Sequence, residues 1–513
     1  MFFQRFFLAL ALYNTAWAAT TFTWNSTTTL SEPGNSFYPN AKIASNGTDS
    51  AVAIWSRYTE GKWIVEEAYS SNNGKYWSLP ITPISFNPQA SLNPLPQIAM
   101  NDSDTTIAVF CVFDGINYTI QQAYSSDGGI HWTMGSFPLA SSVTFLSEQK
   151  IALQGENQAI AVWTGVGGVI QGEYSADGGQ TWTTTGDLSL SGSQSPQIAI
   201  NITDQALVVW ERSGIIQAQY SVNDGATWNS SPNLSSTNAQ TPQIALNDVG
   251  MAICVWTRNN GTNTIIESSY AYDGGATWST PQILSDMTEN SFYPQVSLND
   301  NGEAIVVWQS NDGIHTTIQT AYSSDGGYSF SPYNIISIPS EDAAYPSVSI
   351  SNDGIGAVTF TNTSENVIQV CSTIDAGATF TTPVYISSSQ GQSTNSNVVV
   401  NDQDFALLLW PFQIGNAFTV QTLYGSFFRV LMEQKKTKLL LQRDYVNIIS
   451  CETVPEAFMY RVYADENLTI PLYQGTDPIF YDHGQKKEFT KTYYMTWSDE
   501  YDEESSPGVV TGP

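Results

Sequence analysis

The chain repeats one pattern of apolar and polar positions along most of its length. A short alternating run is followed by a longer apolar run, a third run ending in Tyr, a polar turn, and an extended stretch opening with Trp. Two consecutive copies show it plainly: SPQIAINITDQALVVWERSGIIQAQYSVNDGATWNSSPNLSS and TPQIALNDVGMAICVWTRNNGTNTIIESSYAYDGGATWSTPQILSD. Runs of this length, rich in Val, Ile, Tyr and Trp and bounded by Asn, Asp and Gly, predict four strands of an antiparallel meander in each copy.

The tyrosines set the register. Tyr69, Tyr124, Tyr174, Tyr220, Tyr270, Tyr322 and Tyr424 recur at one place, with Ser372 taking the seventh. First strands begin near Ala41, Pro96, Lys150, Pro196, Pro242, Pro294, Pro346 and Asn397, and second strands carry Trp55, Trp163, Trp210, Trp256, Trp308 and Trp410, with Phe360 substituting once. Four-stranded units repeated in this way predict an all-β chain built as a β-propeller of eight blades, with seven the alternative if one unit is displaced. The eighth unit stops after Tyr424 without a fourth strand, while TFTWNSTTTLSEPGNSFY near the start matches a fourth strand leading into a first. The N-terminal strand is therefore expected to close the last blade, removing exposed sheet edges.

Composition narrows the setting. The 513 residues include 47 acidic and 17 basic side chains, a formal charge of -30, which opposes binding to phosphate backbones and anionic lipid; no nucleic-acid partner is expected. The segment MFFQRFFLALALYNTAWA combines one basic residue, a short apolar run and Ala16-Trp17-Ala18, so residues 1–18 read as a signal peptide and the protein as secreted or periplasmic. No later run is long enough for a membrane helix. Cys111 and Cys254 sit within apolar strands, VFCVF and AICVW, and read as buried thiols rather than a disulfide framework.

The turn between third and fourth strands resembles the Asp box, S-x-D-x-G-x-x-W, of sialidases and other BNR-repeat propellers. It reads SSDGGIHW, SADGGQTW, SVNDGATW, AYDGGATW, SSDGGYSF and TIDAGATF, preceded by a first copy, SSNNGKYW. Asn72, Asp127, Asp177, Asn223, Asp273, Asp325 and Asp375 hold the Asp position, where a short side chain accepting backbone N–H bonds gives a structural role. The resemblance spans about residues 21 to 425 and implies a ligand face opposite these turns.

Sialidases grip a sugar carboxylate with three arginines. The propeller region here holds Arg57, Arg212 and Arg258, all two residues after the second-strand Trp, and lacks the family's F-R-I-P element. His131, His315 and His483 are too scattered for a metal cluster, so no metal or cofactor is expected. The reading that follows is a non-catalytic binding propeller for a glycan or an extended peptide. Arg57, Arg212 and Arg258 would act with Tyr38, Tyr293 and Tyr345 at the lead-in to the first strands; a sialidase-like glycoside hydrolase is the alternative. Residues 426–513, with the runs MYRVYAD, DHG and YYMTWSDEYDEESSP, resemble a fibronectin type III module, which implies a small β-sandwich.

Overall fold

The computed structural model describes residues 17–35, 40–79, 83–86, 93–113, 116–143, 148–155, 157–439, 442–451, 457, 459–465, 467–469, 471–485, 491–498 and 508–512. Most of the expected leader, Tyr38 and the acidic tail around residues 499–504 lie outside them. The described residues contain strands and no helix, and no helix is long and apolar enough to cross a membrane. The chain divides into two compact units, Trp24–Tyr424 and Met1–Thr23 with Gly425–Pro513.

The larger unit is a succession of antiparallel sheets, most of them four-stranded and each a simple meander. Ser193–Ile200, Ala206–Arg212, Ile215–Ser221 and Asn229–Ser230 pair in order, and the sheets around them repeat that order. The first strand of each sheet touches the first strand of the next, from Ala41–Ser45 through to Asn397–Val400. Asn397–Val400 then touches Ala41–Ser45. Side chains secure that last junction: Lys42 Nζ donates to Asn397 Oδ1 at 3.0 Å and Asn397 Nδ2 donates to the Ala41 carbonyl at 3.1 Å.

Apolar side chains fill the spaces between successive sheets. The second strands are buried on both faces, which is why they read as continuous apolar runs rather than alternating ones. Their aromatic sits opposite a Glu or Gln of the third strand, as in Trp55 with Glu66, Trp256 with Glu267 and Trp308 with Gln319. In the second sheet that place belongs to Phe110, opposite Gln121, a member of the aromatic series that the Trp pattern alone did not identify. Cys254 and Cys371 are buried, and burial pushes both thiols up.

The sheet built on Phe405–Ile414 and Ala417–Leu439 takes its next partners from the other end of the chain. Thr28 and Thr29 pair with Thr422 and Gln421, and Gly34 and Asn35 pair with Phe418 and Ala417. Between them Leu30 N donates to the Val420 carbonyl at 2.8 Å, and Val420 N donates to Ser31 Oγ at 2.8 Å. Leu30 itself is buried with Trp55, Leu407, Leu409 and Val420. Leu30→Ala is expected to cost about 2–5 kcal/mol, because the cavity opens where two sheets and the N-terminal segment meet. Urea unfolding measures it, and a midpoint equal to that of the parent would show that the segment docks without anchoring.

In the smaller unit two sets of strands share one core. Gln442–Cys451 pairs with Ala417–Leu439 and with Ile479–Gln485, while the order Pro471–Gly475, Met459–Tyr463, Lys491–Ser498, Gly508–Gly512 forms a second sheet. Ile449 from the first meets Tyr460, Val462, Tyr493, Met495 and Val510 from the second. Tyr493 Oη donates to Asp482 Oδ2 at 2.5 Å and accepts from Asn447 Nδ2 at 3.0 Å, and burial pushes its phenol up.

Candidate functional site

The site with the most distinctive local geometry lies where the chain enters the first strands. In four consecutive sheets the pairing of first and second strands breaks at one place: between Gln194 and Gln197, Gln240 and Gln243, Phe292 and Gln295, and Ala344 and Ser347. The inserted dipeptides are Ser195-Pro196, Thr241-Pro242, Tyr293-Pro294 and Tyr345-Pro346. Such a bulge re-aims a side chain that regular pleating would bury or expose. The residue before each proline is left-handed, with φ of 54° at Ser195, 53° at Thr241, 53° at Tyr293 and 57° at Tyr345. Leu95 and Asn395 share the conformation at the same repeat position. A non-glycine residue held there costs on the order of 1–2 kcal/mol, so a repeated series marks a place where the aim of the side chain is fixed by the surrounding sheet.

These residues line two adjoining cavities of about 300 and 400 Å³. Tyr293, Leu95, Asn40 and Gln295 belong to both; Ser195 and Thr241 line the first, Tyr345 and Asn395 the second. The Tyr293 and Tyr345 rings stand 5.7 Å apart at 50° and are 51% and 42% exposed, while Phe292 lies 6.5 Å from Tyr293. The pair offers two flat apolar faces with hydroxyl tips, beside a rim of amides: Gln97, Gln197, Gln243 and Gln295 occupy one first-strand position in four of the sheets. Lys42 and Lys150 occupy that same position in two other sheets and line the cavities too. Burial together with the charge of Lys150 pushes Lys42 down to about 8, and burial also lowers Lys150, opposed by the attraction of Glu148.

The three arginines sit elsewhere. Arg57 Nε and Nη2 donate to Glu66 at 2.7 and 2.5 Å, and Trp55 Nε1 donates to the same carboxylate at 3.0 Å. Arg258 repeats the arrangement on Glu267, its Nε at 2.8 Å, with Trp256 Nε1 at 3.1 Å. Gly34 of the N-terminal segment lies against the Arg57 stem, where an added Cβ would stand 2.9 Å from Cγ. Arg212 Nε donates to the Ser191 carbonyl at 3.1 Å, and opposite Trp210 stands Gln217 instead of Glu. Each arginine is thus held by its own sheet, and none lines either cavity. Glu211 near the end of a second strand and Glu289 just before a first strand are engaged as well: Glu211 accepts from Gly214 N at 2.5 Å, and Glu289 from Ser310 Oγ at 2.7 Å and Gln319 Nε2 at 3.0 Å.

At the opposite ends of the first strands lie the polar turns. In the turn from Ser175, the Ser175 hydroxyl donates to Asp177 Oδ1 at 2.8 Å, Thr181 N to Oδ1 at 2.8 Å and Thr181 Oγ1 to Oδ2 at 2.6 Å. Asp273, Asp325 and Asp375 accept from Thr277, Ser329 and Thr379 in the same way, and Asn72 and Asn223 accept from Tyr76 N and Thr227 N. Asp127 accepts from His131 N at 2.9 Å and meets its imidazole at 2.7 Å. Although burial acts upward, these hydrogen bonds hold Asp127, Asp177, Asp325 and Asp375 below the usual carboxylate range. Both oxygens of such a carboxylate are committed within its own turn.

Asp102, Asp248, Asp300 and Asp402 follow the first strands at the same end. Asp248 N donates to Asp300 Oδ1 at 2.8 Å and Ile202 N to Asp248 Oδ1 at 3.1 Å, so Asp300 and Asp248 each cap the neighbouring repeat. Burial, with mutual repulsion, raises Asp102 and Asp248. Among the described residues no group of three or more His, Cys, Asp or Glu is placed to hold a metal ion.

Residues 205–407 match the BNR repeat-like domain. No curated protein matches the chain. Among solved structures, the BP39L lectin from Burkholderia pseudomallei is 14% identical, with a TM-score of 0.47 over 68% of this chain and 100% of that one. A polysaccharide lyase of family PL25, an ulvan lyase, is 9% identical, with a TM-score of 0.49 over 76% of this chain and 94% of that one. An α-L-arabinofuranosidase from Fusarium graminearum is 12% identical, with a TM-score of 0.37 over 53% of this chain and 91% of that one. Likeness at this level assigns no activity. The match to a BNR repeat-like domain thus falls within a chain whose described residues form antiparallel meanders.

Proposed function

We propose that this chain is an exported, non-catalytic glycan-binding protein. Its framework is an eight-bladed propeller closed by the N-terminal strand and followed by a small β-sandwich, and its working surface is the mouth formed at the lead-in to the first strands. The observation that carries the reading is the pair Tyr293 and Tyr345, both held left-handed before proline and both facing cavities rimmed with amides. Aromatic faces beside amide donors and acceptors suit a sugar ring, which presents C–H groups on its faces and hydroxyls around its edge.

Two features favour binding over hydrolysis by a sialidase-like mechanism. A three-arginine carboxylate clamp needs free guanidinium forks, and those of Arg57 and Arg258 are occupied by Glu66 and Glu267. A pair of glycosidase carboxylates needs one group able to carry a proton to the leaving oxygen, and Glu211 and Glu289 are committed to neighbouring backbone and side-chain donors.

Tyr293→Ala and Tyr345→Ala are each expected to weaken binding by about tenfold for a glycan that the parent retains on an array, since a central aromatic anchor carries that much. Retention unchanged in both variants would remove the mouth from the function. Release of product from fluorogenic glycosides by the parent, absent after substitution of a mouth residue, would replace binding by turnover.

A further inference from the structure

We propose that the mouth also selects for charge: Lys42 and Lys150 form a seat for the anionic group of an acidic saccharide, a uronate carboxylate or a sulfate ester. The inference rests on the glycan reading above and deepens it. Lys42 and Lys150 stand at a first-strand position that Gln97, Gln197, Gln243 and Gln295 fill in other sheets, so packing and pairing there are satisfied without a charge. In a chain with 47 acidic and 17 basic residues, two lysines lining adjoining cavities with no carboxylate paired to either is a departure that packing does not explain.

The partners of the two ammonium groups can be followed individually. Lys42 Nζ gives one hydrogen bond, to Asn397 Oδ1, leaving two donors. Among the described residues Lys150 Nζ makes no hydrogen bond and no ion pair. The acid nearest to Lys150 in sequence, Glu148, lines the same cavity but is exposed and makes no ion pair with it, acting through space, and in the cross-strand row of Lys42 the carboxyl of Glu67 lies beyond Ile54. Both ammonium groups are partly withdrawn from water and Lys42 feels the charge of Lys150, so each is less readily charged than an ordinary lysine. A bound anion would supply the missing counter-charge. The acidic excess elsewhere does not cancel this local field, because the screening length at physiological salt is about 8 Å.

The test uses the whole protein and the double variant Lys42→Gln/Lys150→Gln, whose new side chains already occupy the equivalent position in other repeats; its melting temperature reports whether the fold is kept. Both proteins are titrated with sodium glucuronate, with its uncharged methyl ester and with sodium sulfate at constant ionic strength, followed through lysine side-chain NMR signals. The parent is expected to bind glucuronate at least about tenfold more tightly than the ester, with the Lys42 and Lys150 signals moving, and the folded variant to lose that difference. Sulfate binding by the parent that the variant lacks supports the seat even if neither sugar binds, a result that would count against the glycan reading alone. Equal binding of acid and ester overturns the seat and leaves the glycan reading intact. Absence of binding by all three probes, or an anion preference that survives in the variant, also overturns it.

Discussion

Arg57→Ser is expected to lower the unfolding free energy by about 3 kcal/mol, and addition of Glu66→Gln to restore most of that loss. The reason lies in what the single change leaves behind. Glu66 is 7% exposed at its side chain, and Arg57, 18% exposed, pairs with its carboxylate through two hydrogen bonds. Removing the guanidinium strands that charge beside Trp55 in a sheet interior. Other sheets of the same chain supply the template for the repair: Trp308 Nε1 donates to Gln319 Oε1 at 3.0 Å, and Ser310 stands where Arg57 does. An amide needs no counter-charge, so the double variant keeps the indole-to-amide bond that Trp308 and Trp410 already make to Gln319 and Gln421. Urea unfolding of the two single variants and the double variant closes the cycle. Costs that simply add would show that arginine and glutamate act independently, against the arrangement described.

Glu67→Gln is expected to make the protein more stable above about pH 8, by as much as about 5 kcal/mol, and to leave it little changed near pH 4. Burial raises the Glu67 carboxyl from 4.5 to about 8, and its Oε2 has no hydrogen-bond partner. The sign follows from linkage: the folded protein keeps a proton that the unfolded chain releases, so stability declines as pH rises from about 4.5 and levels off above about 8. An amide does not titrate and removes that decline. Gln122 occupies the equivalent place in the next sheet and is buried there, so the substitution asks nothing new of the packing. Unfolding at about pH 5 and about pH 9 gives the comparison; parallel profiles for parent and variant would show that Glu67 ionises at its ordinary value.

These two glutamates show where reading the residues stopped short. The repeated meander was legible because its period is written in Tyr, Trp, Asn and Gly at fixed places, and backbone turns follow from those residue types. The pairing of Thr28–Thr29 with Ala417–Leu439 was foreshadowed by a sequence match between a fourth strand elsewhere and the N-terminal segment. The arginines share a repeat position, but the partners of Arg57 and Arg258 lie on the third strand, nine residues away across a hairpin, and that of Arg212 is the Ser191 carbonyl. The signal was present all the same: Glu66 and Glu267 replace Gln only where Arg57 and Arg258 follow the Trp, whereas Trp210, which Arg212 follows, faces Gln217. Lys42 and Lys150 went unnoticed because an arginine fork was sought, and a lysine in a glutamine column is visible only when the columns are aligned. The left-handed Tyr293 and Tyr345 carry no local mark, since that conformation is set by the bulge and not by the side chain.

The junction of the two ends also orders events in time. Ser31 and Val420 meet across 389 residues of sequence, so a chain made from its N-terminus must keep residues 28–35 without their strand partner until nearly all the other sheets exist. Contacts of such separation form late and slowly, and until then Ala417–Leu439 of the last sheet is an open edge at which a neighbouring chain could pair. Docking of residues 28–35 is therefore the step that completes the last sheet.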